Sequence, residues 1–238
     1  MIQIDAADFE WLEDGKRYTL HGGIDDATGK LVGLHLSTHE CLGGYFAVMQ
    51  QIIKENGIPF MVYVDRRATF LSPKVEPGDK QENDTQFGRA MKELGIRMTP
   101  ARSAQAKGRI ERAWGTLQSR LPIELRLAKI ANIDEANDFL AQYMFDFNKQ
   151  FAVAPEDATL AYLPLAANIN LALILCEKTP RKVDKGGVFS YNGQAWQLTD
   201  TSIANVTVEV VDSGTFGILA LYHGNLYVSV PFCSKNQS

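Results

Sequence analysis

The chain has little cysteine, no long apolar run and no excess of positive charge. Its three cysteines, Cys41, Cys176 and Cys233, lie far apart and follow no paired spacing. This pattern excludes a disulfide framework and a zinc site, and it indicates reduced thiols. No stretch approaches the roughly 20 apolar residues of a membrane span, and the acidic first segment is unlike a signal peptide. We therefore expect a cytoplasmic protein without membrane contact.

The overall charge is a weak guide to the partner. The net charge of −4 argues against nucleic acid, and 45% hydrophobic residues in a chain of 238 are ordinary for a globular protein. Residues 97–129, however, carry eight basic side chains and only two acidic ones. A local basic stripe matters more for contact with phosphates than the sum over a chain. A nucleic-acid partner therefore remains open.

Periodicity predicts two domains, residues 1–165 and residues 166–238. In the first, apolar spacing and turn residues predict the following elements: strands at 2–8, 17–24, 31–37, 60–64 and 96–98, and helices at 38–56, 85–94, about 109–128 and 133–151. Residues 71–84 show no apolar period and predict a mobile loop. In the second domain, short β-capable runs at 188–191, 195–198, 206–211, 216–222 and 226–230 alternate with turn residues, which predicts a small barrel.

Three acidic residues stand on separate predicted elements of the first domain. Asp5 lies in the first strand, Asp65 ends the strand at 60–64, and Glu111 lies on the basic helix. Taken singly, each has an ordinary interpretation: an exposed strand residue, a turn or N-cap, and a partner for Lys107 one helical turn away. Taken together, carboxylates from three elements are what a two-metal phosphoryl-transfer site requires.

The phrases IDDATGK, YVDRRATF, FGRAMKELGI and SAQAKGRIERAWGTLQSRL, in this order of elements, resemble the catalytic core of bacterial insertion-sequence transposases. That group is similar to retroviral integrases and carries a DDE triad. The resemblance implies a ribonuclease H-like α/β domain, with a five-stranded mixed sheet flanked by helices, followed by a small SH3-like β-barrel that contacts DNA. The barrel carries the weaker motifs.

The resemblance also implies a reaction and its cofactor. A transposase of this kind cleaves a DNA strand and then joins the freed 3′-hydroxyl to a target phosphodiester. Two Mg²⁺ or Mn²⁺ ions would be held by the triad, with Asp5 bridging both, Asp65 holding one and Glu111 the other. The residues expected to bind DNA surround Glu111: Arg102, Gln105, Lys107, Arg109, Arg112 and Gln118. Relatives often have a basic residue where this chain has Gln118, so that contact lacks a charge here.

Double-stranded DNA, as element ends and target, is the expected partner, and related cores act as homo-oligomers on DNA in the bacterial nucleoid. Full-length relatives usually carry helix-turn-helix domains before the core, so we expect weak sequence-specific binding by this chain alone. Two alternatives stay open: a metal-dependent nuclease of the same fold, and a decayed core that serves as a DNA-binding or assembly module.

Other conspicuous residues have structural explanations. Asp25 and Asp26 fit a hairpin turn, and Ile110, Trp114, Leu117 and Leu121 form an apolar stripe that predicts core packing. His21 and His35 lie in strands and are expected to be structural. Arg66 and Arg67 suit a phosphate contact or a solvated loop equally well. Tyr191 and Trp196 suit a barrel core or base stacking.

Overall fold

The computed structural model describes residues 1–65, 69–70, 85–100, 108–157, 161–200, 202–213 and 216–232. The chain divides into two compact units, Met1–Ile169 and Asn170–Ser238. The predicted loop at 71–84 lies outside the described residues. No helix in the described part of the chain is long and apolar enough to cross a membrane.

The first unit is built on a five-stranded mixed sheet. Its strands are β1 (Ile2–Phe9), β2 (Tyr18–Asp25), β3 (Leu31–Ser37), β5 (Met61–Val64) and β6 (Arg97–Pro100), and β4 (Ile58–Pro59) pairs separately with β7 (Tyr162–Leu163). The strand order is β3-β2-β1-β5-β6, with β1 antiparallel to β2 and parallel to β5. This arrangement is the ribonuclease H-like sheet that the resemblance implied, so the predicted fold class is confirmed.

Helices cover both faces of this sheet. They are α1 (Leu42–Asn56), α2 (Gln86–Glu93), α3 (Gly108–Leu127) and α4 (Ile133–Phe151). Helix α1 packs on one face, where Gly23 and Gly33 allow close approach of Val48. Helices α3 and α4 pack on the opposite face and share a core with β2 and β3. The stripe Ile110, Trp114, Leu117 and Leu121 is buried there, as its spacing predicted.

The outer edge of β3 is closed by side-chain amides instead of by another strand. Asn148 bonds both the N–H and the C=O of Leu31 at 2.8 Å. Asn137 does the same for Leu36, at 2.8 and 3.0 Å. Gln51 of α1 does so for Leu34, at 2.9 Å for both bonds. Backbone groups at an open edge invite pairing with other chains, and these amides occupy them.

The second unit is a nearly closed antiparallel barrel. After the short helix α5 (Leu171–Ile174), its strands are β8 (Glu177–Lys182), β9 (Val188–Tyr191), β10 (Gln194–Leu198), β11 (Thr207–Ser213), β12 (Gly217–Tyr222) and β13 (Asn225–Pro231). The order is β8-β11-β12-β13-β10-β9. The two end strands meet where the Arg181 side chain donates to the Ser190 carbonyl at 3.1 Å. The predicted all-β architecture is therefore confirmed.

The prediction missed the six-residue strand β8 and placed the start of helix α1 too early. Strand β8 was not predicted because its sequence, EKTPRK, is charged, contains Pro180 and shows no apolar alternation. Pairing with β11 makes it a strand nevertheless. Helix α1 begins at Leu42 and not at residue 38. The buried His21 accepts a hydrogen bond from the Cys41 N–H at 3.1 Å, which holds the extended backbone before the helix.

Candidate catalytic site

The sheet register brings two of the three predicted carboxylates to neighbouring positions. Strands β1 and β5 run parallel, with Ile2 opposite Val62 and Gln3 opposite Tyr63. Continuing this register by two residues sets Asp65, which follows β5 directly, opposite Asp5. Residues opposite each other in a sheet share a face because the pleat alternates with a period of two. Both aspartates are half-buried.

Helix α3 covers the face of the sheet that carries the Asp5 side chain. The Trp114 indole N–H donates to Asp5 Oδ2 at 3.2 Å. The Trp114 ring lies over Gly22, the residue paired with Asp5 on β2. A Cβ at position 22 would lie 2.6 Å from the ring, so only glycine leaves room for the indole in this position. The first helical turns of α3 are therefore in direct contact with the Asp5 carboxylate.

A second contact fixes the N-terminus of α3. Gln3 is 1% exposed, and its Oε1 accepts a hydrogen bond from the Ile110 N–H at 3.2 Å. Its Nε2 donates to Asp26 Oδ1 at 2.6 Å, and the same Asp26 oxygen lies 3.4 Å from Arg109 Nε. Unpaired N–H groups of a helix N-terminus need such acceptors. One buried amide thus joins β1, the hairpin turn and α3.

Glu111 lies between these two contacts, in the first turn of α3. Its side chain is exposed, whereas Ile110 and Trp114 on either side are buried. Across the described residues, no group of three or more His, Cys, Asp or Glu side chains is arranged to hold a metal ion. Asp5 and Glu111 thus lie on two elements in direct contact, β1 and α3, and the continued register would put Asp65 beside Asp5.

The residues predicted to bind DNA are only partly within the described chain. Arg102, Gln105 and Lys107 lie outside it, as do Arg66 and Arg67. Arg109 and Arg112 are exposed at the start of α3, and Gln118 is half-buried two turns further on. The Arg112 Nε donates to the Gly108 carbonyl at 3.0 Å, within its own helix.

The four arginines of α3 all have a partner inside the chain. Besides Arg109 and Arg112, Arg120 contacts Gln150 and stacks over Phe151, and Arg126 pairs with Glu13 at 2.9 Å. An exposed ion pair of this kind contributes only about 0–1 kcal/mol. These side chains can therefore exchange their present partners for phosphates at little cost in stability.

The histidines expected to be structural take no part in the site. His21 is fully buried on the α1 face, and burial lowers its pKa to about 4. Its Nδ1 bonds the His35 carbonyl and its Nε2 accepts from Cys41, which fits the neutral ring with the proton on Nδ1. Burial also lowers the pKa of His35.

Gln3, Asp26 and Trp114 are site residues that the sequence did not reveal. Asp26 was predicted to form a turn and Trp114 to pack in the core, and both predictions are confirmed. Neither included the contacts that these residues make with Gln3 and Asp5. One signal was available for Gln3: strict alternation in β1 puts this polar residue on the same face as Asp5. Nothing local to the sequence indicated that α3 would supply its partner.

No protein-family model matches the chain. Among curated proteins, it is 38% identical over 205 residues to "Putative transposase y4bF" of Sinorhizobium fredii (strain NBRC 101917 / NGR234), an alignment that covers 85% of this chain and 45% of that protein. It is 35% identical over 233 residues to "Transposase for insertion sequence IS1202" of Streptococcus pneumoniae, covering 97% of this chain and 48% of that protein. The chain spans about half the length of the curated relatives it matches.

Two solved structures with similar backbones come from retroviruses. The magnesium complex of the HTLV-2 integrase catalytic core domain, in its dimeric form, aligns with 67% of this chain and 93% of its own, at 16% identity and a TM-score of 0.46. The simian T-cell lymphotropic virus intasome in complex with PP2A regulatory subunit B56 gamma aligns with 97% of this chain and 75% of its own, at 13% identity and a TM-score of 0.47.

The sequence relationship extends through both units of the chain, since the IS1202 alignment covers nearly all of it. The resemblance drawn from the four phrases is thereby confirmed. This chain is homologous to about half of each of two curated transposases, and it has a ribonuclease H-like core followed by a small β-barrel.

Proposed function

We propose that this chain is the catalytic part of a transposase, which cleaves a DNA strand and joins the freed 3′-hydroxyl to a target phosphodiester. The observation that carries the proposal is the parallel pairing of β1 with β5, in which Gln3 lies opposite Tyr63. Continued by two residues, this register would set Asp65 opposite Asp5, on the face covered by α3. The transposase names of both curated relatives support the same reaction class.

The donor set fits a hard divalent cation. Asp5, Asp65 and Glu111 offer carboxylate oxygens, which Mg²⁺ and Mn²⁺ prefer. Asp5 and Asp65 would supply the fixed part of the site because β1 and β5 hold their backbones. Glu111 is exposed on a helix anchored at Ile110, and it would complete the ligand set. Two bound ions would activate the attacking oxygen and stabilise the leaving one.

The remaining chemistry belongs to the exposed side chains near Glu111. Arg109 and Arg112 would exchange their present contacts for DNA phosphates. Gln118, two turns after Glu111 on the same helix face, would donate a hydrogen bond to DNA. Arg102, Gln105 and Lys107, which lie outside the described residues, are proposed to contact DNA as well. The barrel would bind DNA separately, and a homo-oligomer would pair two DNA ends.

The test uses the full chain with Mg²⁺ or Mn²⁺, a supercoiled plasmid, and a labelled duplex that carries a free 3′-hydroxyl. We expect nicking of the plasmid and joining of the duplex to it, both lost by at least about 100-fold in Asp5→Asn, Asp65→Asn and Glu111→Gln. Glu124→Gln is the matched control, since Glu124 is exposed on the same helix, and it should retain full activity.

The outcomes separate the alternatives. Nicking without joined product would indicate a metal-dependent nuclease of the same fold. DNA binding without metal-dependent cleavage would indicate a binding or assembly module. Cleavage that persists in Asp65→Asn would rule out the proposed ligand set.

A further inference from the structure

Trp114 is the one aromatic residue of helix α3, and its polar atom points at a predicted ligand instead of at solvent or backbone. The ring is 8% exposed and belongs to the core shared by β2, α3 and α4. Its N–H nevertheless reaches Asp5 Oδ2 at 3.2 Å, across 109 residues of sequence. A buried indole N–H requires an acceptor, and here the acceptor is an ionisable side chain of the candidate site.

From this geometry we propose that Trp114 is a positioning residue, which orients the Asp5 carboxylate for cation binding and couples that orientation to helix α3. The proposal rests on the proposed function, because it assigns Trp114 a role toward the Asp5 site. A carboxylate has about four lone-pair directions on its two oxygens. A donor held by the core restricts rotation of the group and so orients its oxygens.

The same contact links two ligands. Glu111 precedes Trp114 by one helical turn on α3. The hydrogen bond between the indole and Asp5 therefore also fixes the position of the Glu111 backbone relative to β1. Gln3 provides the second anchor of the helix at Ile110. Between these anchors α3 cannot slide along β1, and the separation of the Asp5 and Glu111 backbones is fixed before any cation binds.

Gly22 is the complementary part of the arrangement. It pairs with Asp5, and a methyl group there would lie 2.6 Å from the Trp114 ring. Gly22→Ala therefore keeps the indole N–H but displaces it, whereas Trp114→Phe removes the N–H and keeps most of the ring. The two variants disturb one contact in independent ways, and both should weaken cation binding.

The experiment measures Mg²⁺ binding to the full chain by calorimetry, and the indole N–H signals of the metal-free protein by NMR. For Trp114→Phe we expect about 10-fold weaker Mg²⁺ binding, the usual effect of losing a group that orients a metal ligand. The chemical shift of the Trp114 indole N–H should differ between the wild type and Asp5→Asn. It should also change when Mg²⁺ is added to the wild type. Trp11→Phe is the matched control, since Trp11 is buried in the same core but donates to the Ala7 carbonyl.

Unchanged Mg²⁺ binding by Trp114→Phe, or an equal loss in Trp11→Phe, would overturn the positioning role alone. Absence of Mg²⁺ binding by the wild type, or binding that Asp5→Asn leaves intact, would overturn the ligand assignment as well. If Trp114→Phe fails to fold, 3-benzothienylalanine at position 114 replaces only the N–H by sulfur and gives the same comparison.

Discussion

The α/β unit and the barrel differ in how the backbone groups of their outermost strands are satisfied. In the barrel, β8 and β9 come together, and the Arg181 side chain bridges them. In the α/β unit, β3 remains an open edge whose outward groups are bonded by Asn137, Asn148 and Gln51. In the barrel, the end strands lie against each other. In the open sheet, the outward backbone groups of β3 are bonded by three individual side chains.

The open sheet leaves its faces accessible to helices, whereas the inner face of the barrel is filled by the barrel's own side chains. Asp5 lies on β1 at the centre of the sheet, and α3 reaches its carboxylate because that face is accessible to a helix. In the barrel, inward positions are filled by its own core residues. The unit that carries the candidate site is thus also the unit with the vulnerable edge, and the two can be separated by mutation.

The largest effect is expected for the edge amides. The double variant Asn137→Ala/Asn148→Ala leaves four backbone groups of β3 without their present partners, at a cost of about 4 kcal/mol in the free energy of unfolding if each site contributes about 2. Hydrogen exchange should rise in residues 31–37 and stay unchanged in β13 of the barrel. Gln142→Ala, which removes an exposed amide of α4, is the control. Unchanged protection of β3 would show that the amides do not hold the edge.

His21 should make the stability of the α/β unit depend on pH. Its pKa is lowered from 6.5 to about 4 by burial, so the unfolded chain binds a proton more readily than the folded one. The neutral state of His21 thereby contributes about 3 kcal/mol to the free energy of unfolding, relative to low pH. This contribution is fully present above pH 6.5 and is lost as the pH falls toward 4.

Urea unfolding at pH 7.5 and pH 4 tests the expectation. His21→Gln should lose less stability between these values than the wild type does, because Gln does not titrate. His39→Gln, which changes an exposed ring, should behave like the wild type. Equal pH dependence of all three proteins would contradict a neutral buried His21.

The smallest effect is expected on the outer surface of the barrel. Leu226, Val228, Val230 and Phe232 alternate along β13 and its end, and all are exposed, Val228 by 55%. Val228→Thr should change the free energy of unfolding by less than about 0.5 kcal/mol. The same substitution at Val210, which is fully buried, should cost about 2 kcal/mol because the hydroxyl enters an apolar core. Thermal unfolding of both variants makes the comparison, and equal costs would mean that the outer stripe is covered in solution.

The sequence predicted most elements because their signals are local. Helix α4 was predicted at 133–151 and lies there, since its apolar period is regular and Asn132 accepts a bond from the Glu135 N–H as N-cap. The strand at 188–191 was also exact, with Asn192-Gly193 supplying the turn that follows. Strand β8 was missed because pairing, not composition, makes it a strand.

For the candidate site, the sequence alone determined which residue types are present and which element carries each of Asp5, Asp65 and Glu111. Only the tertiary structure decided how they are held. Trp114 contacts Asp5 across 109 positions, and Asn148 bonds Leu31 across 117. Such contacts leave no local trace, because a periodic pattern reports which side of an element is buried and not which atoms meet there.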